Sequence, residues 1–225
     1  YLINKAAFVA CHNPSYVDKY DMVQDVKPGG IFLLNCGWNV DELSERLPGD
    51  MKAYIAQNNI QFYTIDGISI GKEIGLGGRI NTVLQAAFFK LANIIPVDDA
   101  VKYMKEAALK SYGKKGEAVV NMNYAAIDRG ITDVVKVDVP ADWAKCSGKF
   151  SMPEITGKDA RLVKWVKEFQ VPVNAQAGDQ IPVSAFKGLE DGTFPQGSAA
   201  YEKRAIAVDV PTWKPENCIQ CGFCS

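Results

Sequence analysis

Three cysteines spaced three apart, Cys218, Cys221 and Cys224, carry the most definite chemistry in this sequence. Thiolates in a C-x-x-C-x-x-C run on a tightly turned loop converge on one iron–sulfur cube, and bacterial ferredoxins follow the run with C-x-x-x-C-P. A structural zinc knuckle needs four protein ligands, and the only histidine, His12, stands far away in sequence. A disulfide fits badly with a chain of intracellular composition. The spacing therefore favours iron. The sequence ends at Ser225, without the fourth cysteine of the usual run, so these residues alone are expected not to hold a stable four-iron cluster.

A second candidate is the stretch Gly71-Lys-Glu-Ile-Gly-Leu-Gly-Gly-Arg-Ile-Asn-Thr82, which precedes an apolar helical pattern. Gly75, Gly77 and Gly78 permit positive φ and close approach of the backbone. Amides exposed at a helix start, with the dipole behind them, attract phosphate or carboxylate. Arg79 in a first helical turn is disfavoured by up to about 1 kcal/mol unless an anion offsets it, and Asn81 and Thr82 add hydrogen-bonding groups. The alternative is that the glycines only make room for packing. The pattern is not G-x-G-x-x-G, and it follows the third strand rather than the first.

The third candidate is Cys11-His12-Asn13-Pro14. A Cys–His nucleophile pair is disfavoured, because adjacent residues on a strand point to opposite faces. Cys11 reads instead as a small buried hydrophobe. Asn13, at the carboxyl end of a strand, stands where open α/β sheets bind ligands, as do Asn35-Cys36-Gly37-Trp38 and Asp66-Gly67, although the latter two read more readily as turns than as contacts.

The elements that must hold these residues alternate. Ala6–Ala10, Ile31–Leu34 and Ile60–Ile65 are short apolar runs that predict buried strands. Asn13-Pro14 predicts the start of a helix over Ser15–Val26, ended by Pro28-Gly29-Gly30. Helices are also predicted over Val40–Leu47 and over Met51–Ala56, the latter capped by Asp50. A long helix presents Ile80, Val83, Leu84, Ala87, Phe88 and Leu91 on one face. Two more follow, one marked by Val97, Val101, Met104 and Ala108, one over Gly116–Ile131. The result is an α/β domain, a parallel sheet flanked by helices, over residues 1–140. An irregular linker over 141–213 and a cysteine-rich opening over 214–225 complete the reading. Trp143, Trp165 and Trp213 are expected to pack the linker onto the core.

Composition narrows the classes of function. A chain of 225 residues buries roughly 70% of the surface that its unfolded form exposes. Twenty-five basic residues against 26 acidic ones give a net charge of −1. That leaves no basic excess for nucleic acid or an anionic membrane. No apolar run approaches a membrane span, and the start lacks the features of a signal peptide. A cytoplasmic location is expected.

Three segments together resemble one family. Gly78-Arg-Ile-Asn-Thr-Val-Leu-Gln-Ala-Ala-Phe-Phe-Lys-Leu91 is similar to a helix of the γ module of 2-oxoacid:ferredoxin oxidoreductases. Tyr201-Glu-Lys-Arg204 is similar to the EKR segment of the single-chain pyruvate enzymes, and Cys218-Ile-Gln-Cys-Gly-Phe-Cys224 to the start of their inserted ferredoxin domain. Their order resembles the pyruvate:ferredoxin (flavodoxin) oxidoreductase family. The resemblance implies oxidative decarboxylation of pyruvate with coenzyme A, giving acetyl-CoA and carbon dioxide, with electrons passed to ferredoxin or flavodoxin. It implies 4Fe-4S clusters, and thiamine diphosphate with Mg in other domains of a homodimeric enzyme of anaerobic metabolism. It also implies that the γ module helps hold coenzyme A, which points to Arg79, Asn81 and Thr82 as anion contacts; Gly77 and Gly78 at the same helix start, and Asn13 at its strand end, complete the candidate cofactor-binding residues. Glu202-Lys203-Arg204 reads as a solvated charge run on composition alone, whereas the resemblance suggests interdomain ion pairs. The first strand and helix of the γ module are expected to be missing ahead of Tyr1, and these residues alone are expected not to turn over pyruvate.

Two other readings remain open. One is a non-catalytic assembly module bridging subunits of an iron–sulfur oxidoreductase. The other is an NAD-dependent dehydrogenase domain, which expects an acidic residue closing its second strand, where Leu33-Leu34-Asn35 offers an amide.

Overall fold

The computed structural model describes residues 3–148, 154–202 and 211–223. Three parallel strands, β1 (Ala6–Cys11), β2 (Val26–Asn35) and β3 (Gln61–Ile65), lie side by side in chain order. The two-residue strand β4 (Val135–Lys136) pairs antiparallel with β3. The sheet is therefore mixed rather than wholly parallel. Its fourth strand is too short for periodicity to announce.

Alternation along the strands divides the core in two. Phe32, Leu34 and Phe62 face α1 (Val40–Arg46) and α2 (Gly49–Gln57), where they meet Leu43, Leu47, Met51 and Ile55. Leu33 and Ile65 face the other way, onto α3 (Gly67–Glu73), α4 (Asn81–Ala92) and α6 (Glu117–Thr132). Helix α5 (Val97–Tyr112) forms an outer layer, packing Met104 and Ala108 against Ala86 and Ile127. Phe88 meets Phe8 edge to face, with ring centroids 5.1 Å apart.

The chain between β1 and β2 departs from the expected helix over Ser15–Val26. Asn13 does cap a helical start, accepting from Ser15 N–H at 3.0 Å, but only the 3-10 turns Pro14–Tyr16 and Met22–Asp25 form. Val17, Val23 and Val26 are all buried. Their six- and three-residue spacings do not keep one face of an α-helix inward, and Val26 already pairs with Ala6. Pro28-Gly29-Gly30 is not a helix stop but a bulge inside β2. Ala6 pairs with Val26 whereas Phe8 pairs with Ile31, and Gly29 takes φ 74° there. Asp50 does not cap α2, whose N-cap is Pro48; its carboxylate accepts from Gly148 N–H at 3.0 Å instead. Helix α3 was not anticipated, because Gly67 and Gly71 sit within it.

Beyond the sheet, Trp143 is 1% exposed, lies 6.4 Å from Phe62 between ring centroids, and donates to Ser44 Oγ at 3.0 Å. Helix α7 (Ala160–Trp165), a π-helical turn Val166–Gln170 and α8 (Val171–Asn174) run on from one another. Pro172 lacks the N–H that α-helical bonding would need, which suits the wider turn before it. Here Trp165 stacks on Phe169 and Phe169 meets Phe186, while Tyr201 Oη donates to Thr156 O at 3.0 Å. Trp165 thus packs within its own aromatic cluster, and Trp213 is 66% exposed rather than packed. Lys203 and Arg204 lie outside the described residues. Among the described residues no helix is long and apolar enough to cross a membrane.

Candidate functional site

The carboxyl ends of the three parallel strands are tied by one side chain. Asn35, fully buried at the end of β2, donates from Nδ2 to His12 O at 2.8 Å and accepts at Oδ1 from Gly67 N–H at 2.9 Å. The end of β1, the end of β2 and the start of α3 are thereby held together. Asp66 Oδ1 caps α3 through Ser69 N–H at 3.0 Å, and Gly37 leaves room for the same carboxylate. Beside them Cys11 donates to Asn13 O at 3.1 Å. Burial pushes the Cys11 thiol from 9.0 up to about 12 and that of Cys36 up to about 11, so both stay protonated and unreactive.

The glycine-rich segment runs from α3 to α4. Gly67 and Gly71 share a face of α3, and the loop closes onto it: a Cβ on Gly71 would collide with the Gly77 carbonyl. Leu76, 9% exposed, anchors the loop in the second core, and its N–H bonds Gly71 O at 2.9 Å. Gly75 and Gly77 take φ 84° and 59°, a conformation that L side chains rarely adopt. Beyond Gly77 and Gly78 there is open space. Arg79 precedes the N-cap Ile80, so it stands outside the first turn rather than within it.

Helix α4 carries no side-chain cap, leaving its first amides toward the surface where Gly77, Gly78, Arg79 and Asn81 gather. Among the described residues Arg79 makes no ion pair, in contrast to Arg129, which bridges Glu73 at 2.9 Å and Asp133. Thr82 turns the other way, donating to Asn123 Oδ1 of α6 at 3.4 Å. Asn13 is taken up in its own turn after β1.

Cys218 and Cys221 are exposed and unbridged. Positive φ at Gln220 (54°) and Gly222 (76°) turns the chain between and after them, and Gln220 N–H points at Cys218 Sγ, 3.4 Å away. Cys224 lies outside the described residues, among which no group of three metal-ligating side chains is found.

The role of Asn35 was missed at the level of sequence, although a polar residue closing a buried apolar strand was its signal. So was a cavity between α4, α5 and α6, bordered by Thr82 and Asn123. Small residues recurring along α5 (Ala100, Ala107, Ala108 and Ser111) were the trace of it.

The family model for pyruvate ferredoxin/flavodoxin oxidoreductase matches residues 1–132, and a domain of unknown function designated EKR matches residues 152–207. Over 225 residues the chain is 49% identical to pyruvate:ferredoxin oxidoreductase of Moorella thermoacetica, covering all of this chain and 19% of that protein. It is also 49% identical to pyruvate-flavodoxin oxidoreductase of Enterobacter agglomerans, again over 19% of the relative. Pyruvate dehydrogenase [NADP(+)] of Cryptosporidium parvum is 42% identical, the chain spanning 13% of it. The chain thus spans about a fifth or less of the length of these relatives. Among solved structures, pyruvate oxidoreductase subunit PORC of Thermotoga maritima superposes with a TM-score of 0.48 at 16% identity, covering 60% of this chain and 67% of that one.

Proposed function

The chain belongs to the pyruvate ferredoxin/flavodoxin oxidoreductase family, and from that premise we propose that it is the coenzyme A-holding segment of such an enzyme. The whole enzyme converts pyruvate and coenzyme A to acetyl-CoA, carbon dioxide and a proton, with two electrons passed singly to ferredoxin or flavodoxin. Identity of 49% along all 225 residues is the observation that carries this reading. Residues 1–140 serve as the γ-type module, 141–213 as the linker with the EKR segment, and 214–225 as the opening of a ferredoxin domain. The enzyme works as a cytoplasmic homodimer whose other domains hold thiamine diphosphate and Mg.

The local chemistry agrees with that task. Gly77 and Gly78 let a phosphate approach the backbone, the uncapped start of α4 supplies N–H donors, and Arg79 supplies a planar cation with no ion-pair partner among the described residues. Further along, Cys218 and Cys221, with Cys224, would ligate a 4Fe-4S cube. The exposed thiols, the turned backbone and the Gln220 amide directed at a sulfur suit that donor set. The cube supplies one-electron storage between the active site and the acceptor.

The test is coenzyme A affinity of the intact oxidoreductase that contains this segment. Arg79→Ala should raise the dissociation constant about tenfold, one charge-assisted contact at a partly solvated site, and the loss should shrink at high salt. Unchanged affinity would leave the segment as an assembly module bridging subunits.

A further inference from the structure

We infer that Arg129 of α6 is a positioning residue for the glycine-rich loop: it ties the end of α3 to α6 and so sets how tightly Gly77, Gly78 and Arg79 hold a phosphate-bearing ligand, without touching that ligand. This rests on the coenzyme A reading above and adds to it a residue from another helix.

The carboxyl ends of α3 and α6 meet beside the loop. Glu73 is the last residue of α3, and Asp133 is the C-cap of α6. Carboxylates are disfavoured there, where the helix dipoles leave negative charge. Arg129, in the last turn of α6, offsets both: Nη1 donates to Glu73 Oε2 at 2.9 Å, and Nε donates to Asp133. Thr132 Oγ1 donates to the other Asp133 oxygen at 2.6 Å. The guanidinium is thus fixed through its own helix, so reaching Glu73 costs little further side-chain entropy. Without the cation, two carboxylates would stand beside two helix carboxyl ends, and their repulsion would drive α3 away from α6.

The loop continues rigidly from α3. Gly75 N–H bonds Lys72 O at 3.2 Å and Leu76 N–H bonds Gly71 O at 2.9 Å, the pair of bonds that closes a helix through a left-handed glycine. Leu76 O then accepts from Arg79 N–H at 3.2 Å. Helix α6 supports the same stretch at a second point. Met122 shares the Arg129 face of α6, and a Cβ on Gly75 would stand 3.3 Å from Met122 Cε. Helix α4 is fixed on α6 independently, through Gly130, where a Cβ would collide with Val83 O. A displaced Glu73 therefore carries the loop with it while the α4 amides stay in place. The two halves of the anion site then separate.

The experiment is equilibrium dialysis of coenzyme A against the intact oxidoreductase carrying Glu73→Gln, Arg129→Gln or both, with Arg79→Ala as reference. Glu73→Gln should raise the dissociation constant about threefold and Arg129→Gln somewhat more, as expected for a solvent-exposed pair read out at the loop. The double variant should bind no more weakly than Arg129→Gln, because the two changes remove one interaction. High salt should narrow the difference between the parent and Glu73→Gln. In the ligand-free enzyme, amide exchange at Gly75, Leu76 and Arg79 should quicken in Glu73→Gln, a neutral isostere at an exposed position. Unchanged affinity in Glu73→Gln overturns the inference, whatever the thermal stability of Arg129→Gln. An additive loss in the double variant overturns it too, because Arg129 would then act on the ligand itself. If Arg79→Ala weakens coenzyme A and Glu73→Gln does not, the coenzyme A reading stands and this inference falls. If Arg79→Ala, Glu73→Gln and Arg129→Gln all leave affinity unchanged, both fall.

Discussion

Replacing Asn35 by alanine should unfasten the strand ends beneath the candidate site. Two hydrogen bonds are lost, but they are not equivalent. The Gly67 N–H is buried and would have no acceptor, whereas His12 is exposed and its carbonyl can take water. An orphaned buried donor costs about 1–3 kcal/mol and a rehydrated carbonyl about 0.5–1. Together they predict a loss of about 1.5–4 kcal/mol. In urea unfolding, with an m-value of about 2–3 kcal/mol/M, the midpoint should fall by about 1 M. Asn35→Asp sharpens the test. An ionised carboxylate can still accept from Gly67 but meets the His12 carbonyl with a lone pair, so this variant should lose more stability at neutral pH than at a pH low enough to protonate it. A loss below about 0.5 kcal/mol for Asn35→Ala would refute the reasoning, since surface-like substitutions fall in that range.

Gly71→Ala should displace the loop, because its Cβ meets the Gly77 carbonyl; a destabilisation of about 1–3 kcal/mol in the same assay is expected. In iron-free protein, Cys11 and Cys36, buried and with raised pKa, should resist iodoacetamide at pH 8 while exposed Cys218 and Cys221 are alkylated, as peptide mapping before and after denaturation will report. The protonated thiols favour the folded state fully below pH 9, so that share of stability should be lost between pH 9.0 and about 12, and Cys11→Ala/Cys36→Ala should flatten the decline. Tyr201→Phe removes a bond to Thr156 O that closes residues 156–201 on themselves. Limited proteolysis within that segment should quicken, with a stability cost of about 0.5–1 kcal/mol because the bond is exposed.

Much of the fold is legible where pattern and packing agree. The apolar runs of β2 and β3 and the apolar faces of α4, α5 and α6 each answer one dominant force, burial against the sheet or a neighbouring helix, whereas β1, read as a buried strand, lies at the sheet edge with Cys11 alone buried. Legibility fails where local chemistry serves a contact distant in sequence. Pro28-Gly29-Gly30 looks like punctuation, yet Gly29 N–H is fixed by Asn58 O at 2.8 Å and the strand continues through it. Asp50 looks like a cap, yet it serves Gly148. Gly67 and Gly71 look like loop residues, yet they are the flat side of α3 that admits the loop.

The candidate site divides in the same way. Gly77, Gly78, Arg79 and Asn81 stand together at an exposed rim because they are neighbours in sequence. The contact from Thr82 to Asn123 and the tie made by Asn35 depend on which elements the fold brings alongside.

Backbone hydrogen exchange of the intact oxidoreductase, with and without saturating coenzyme A, tests the central claim most directly. Slowed exchange at the amides of residues 77–83 on ligand addition is the predicted result. Saturation with exchange across those residues left as fast as in the free enzyme would contradict it.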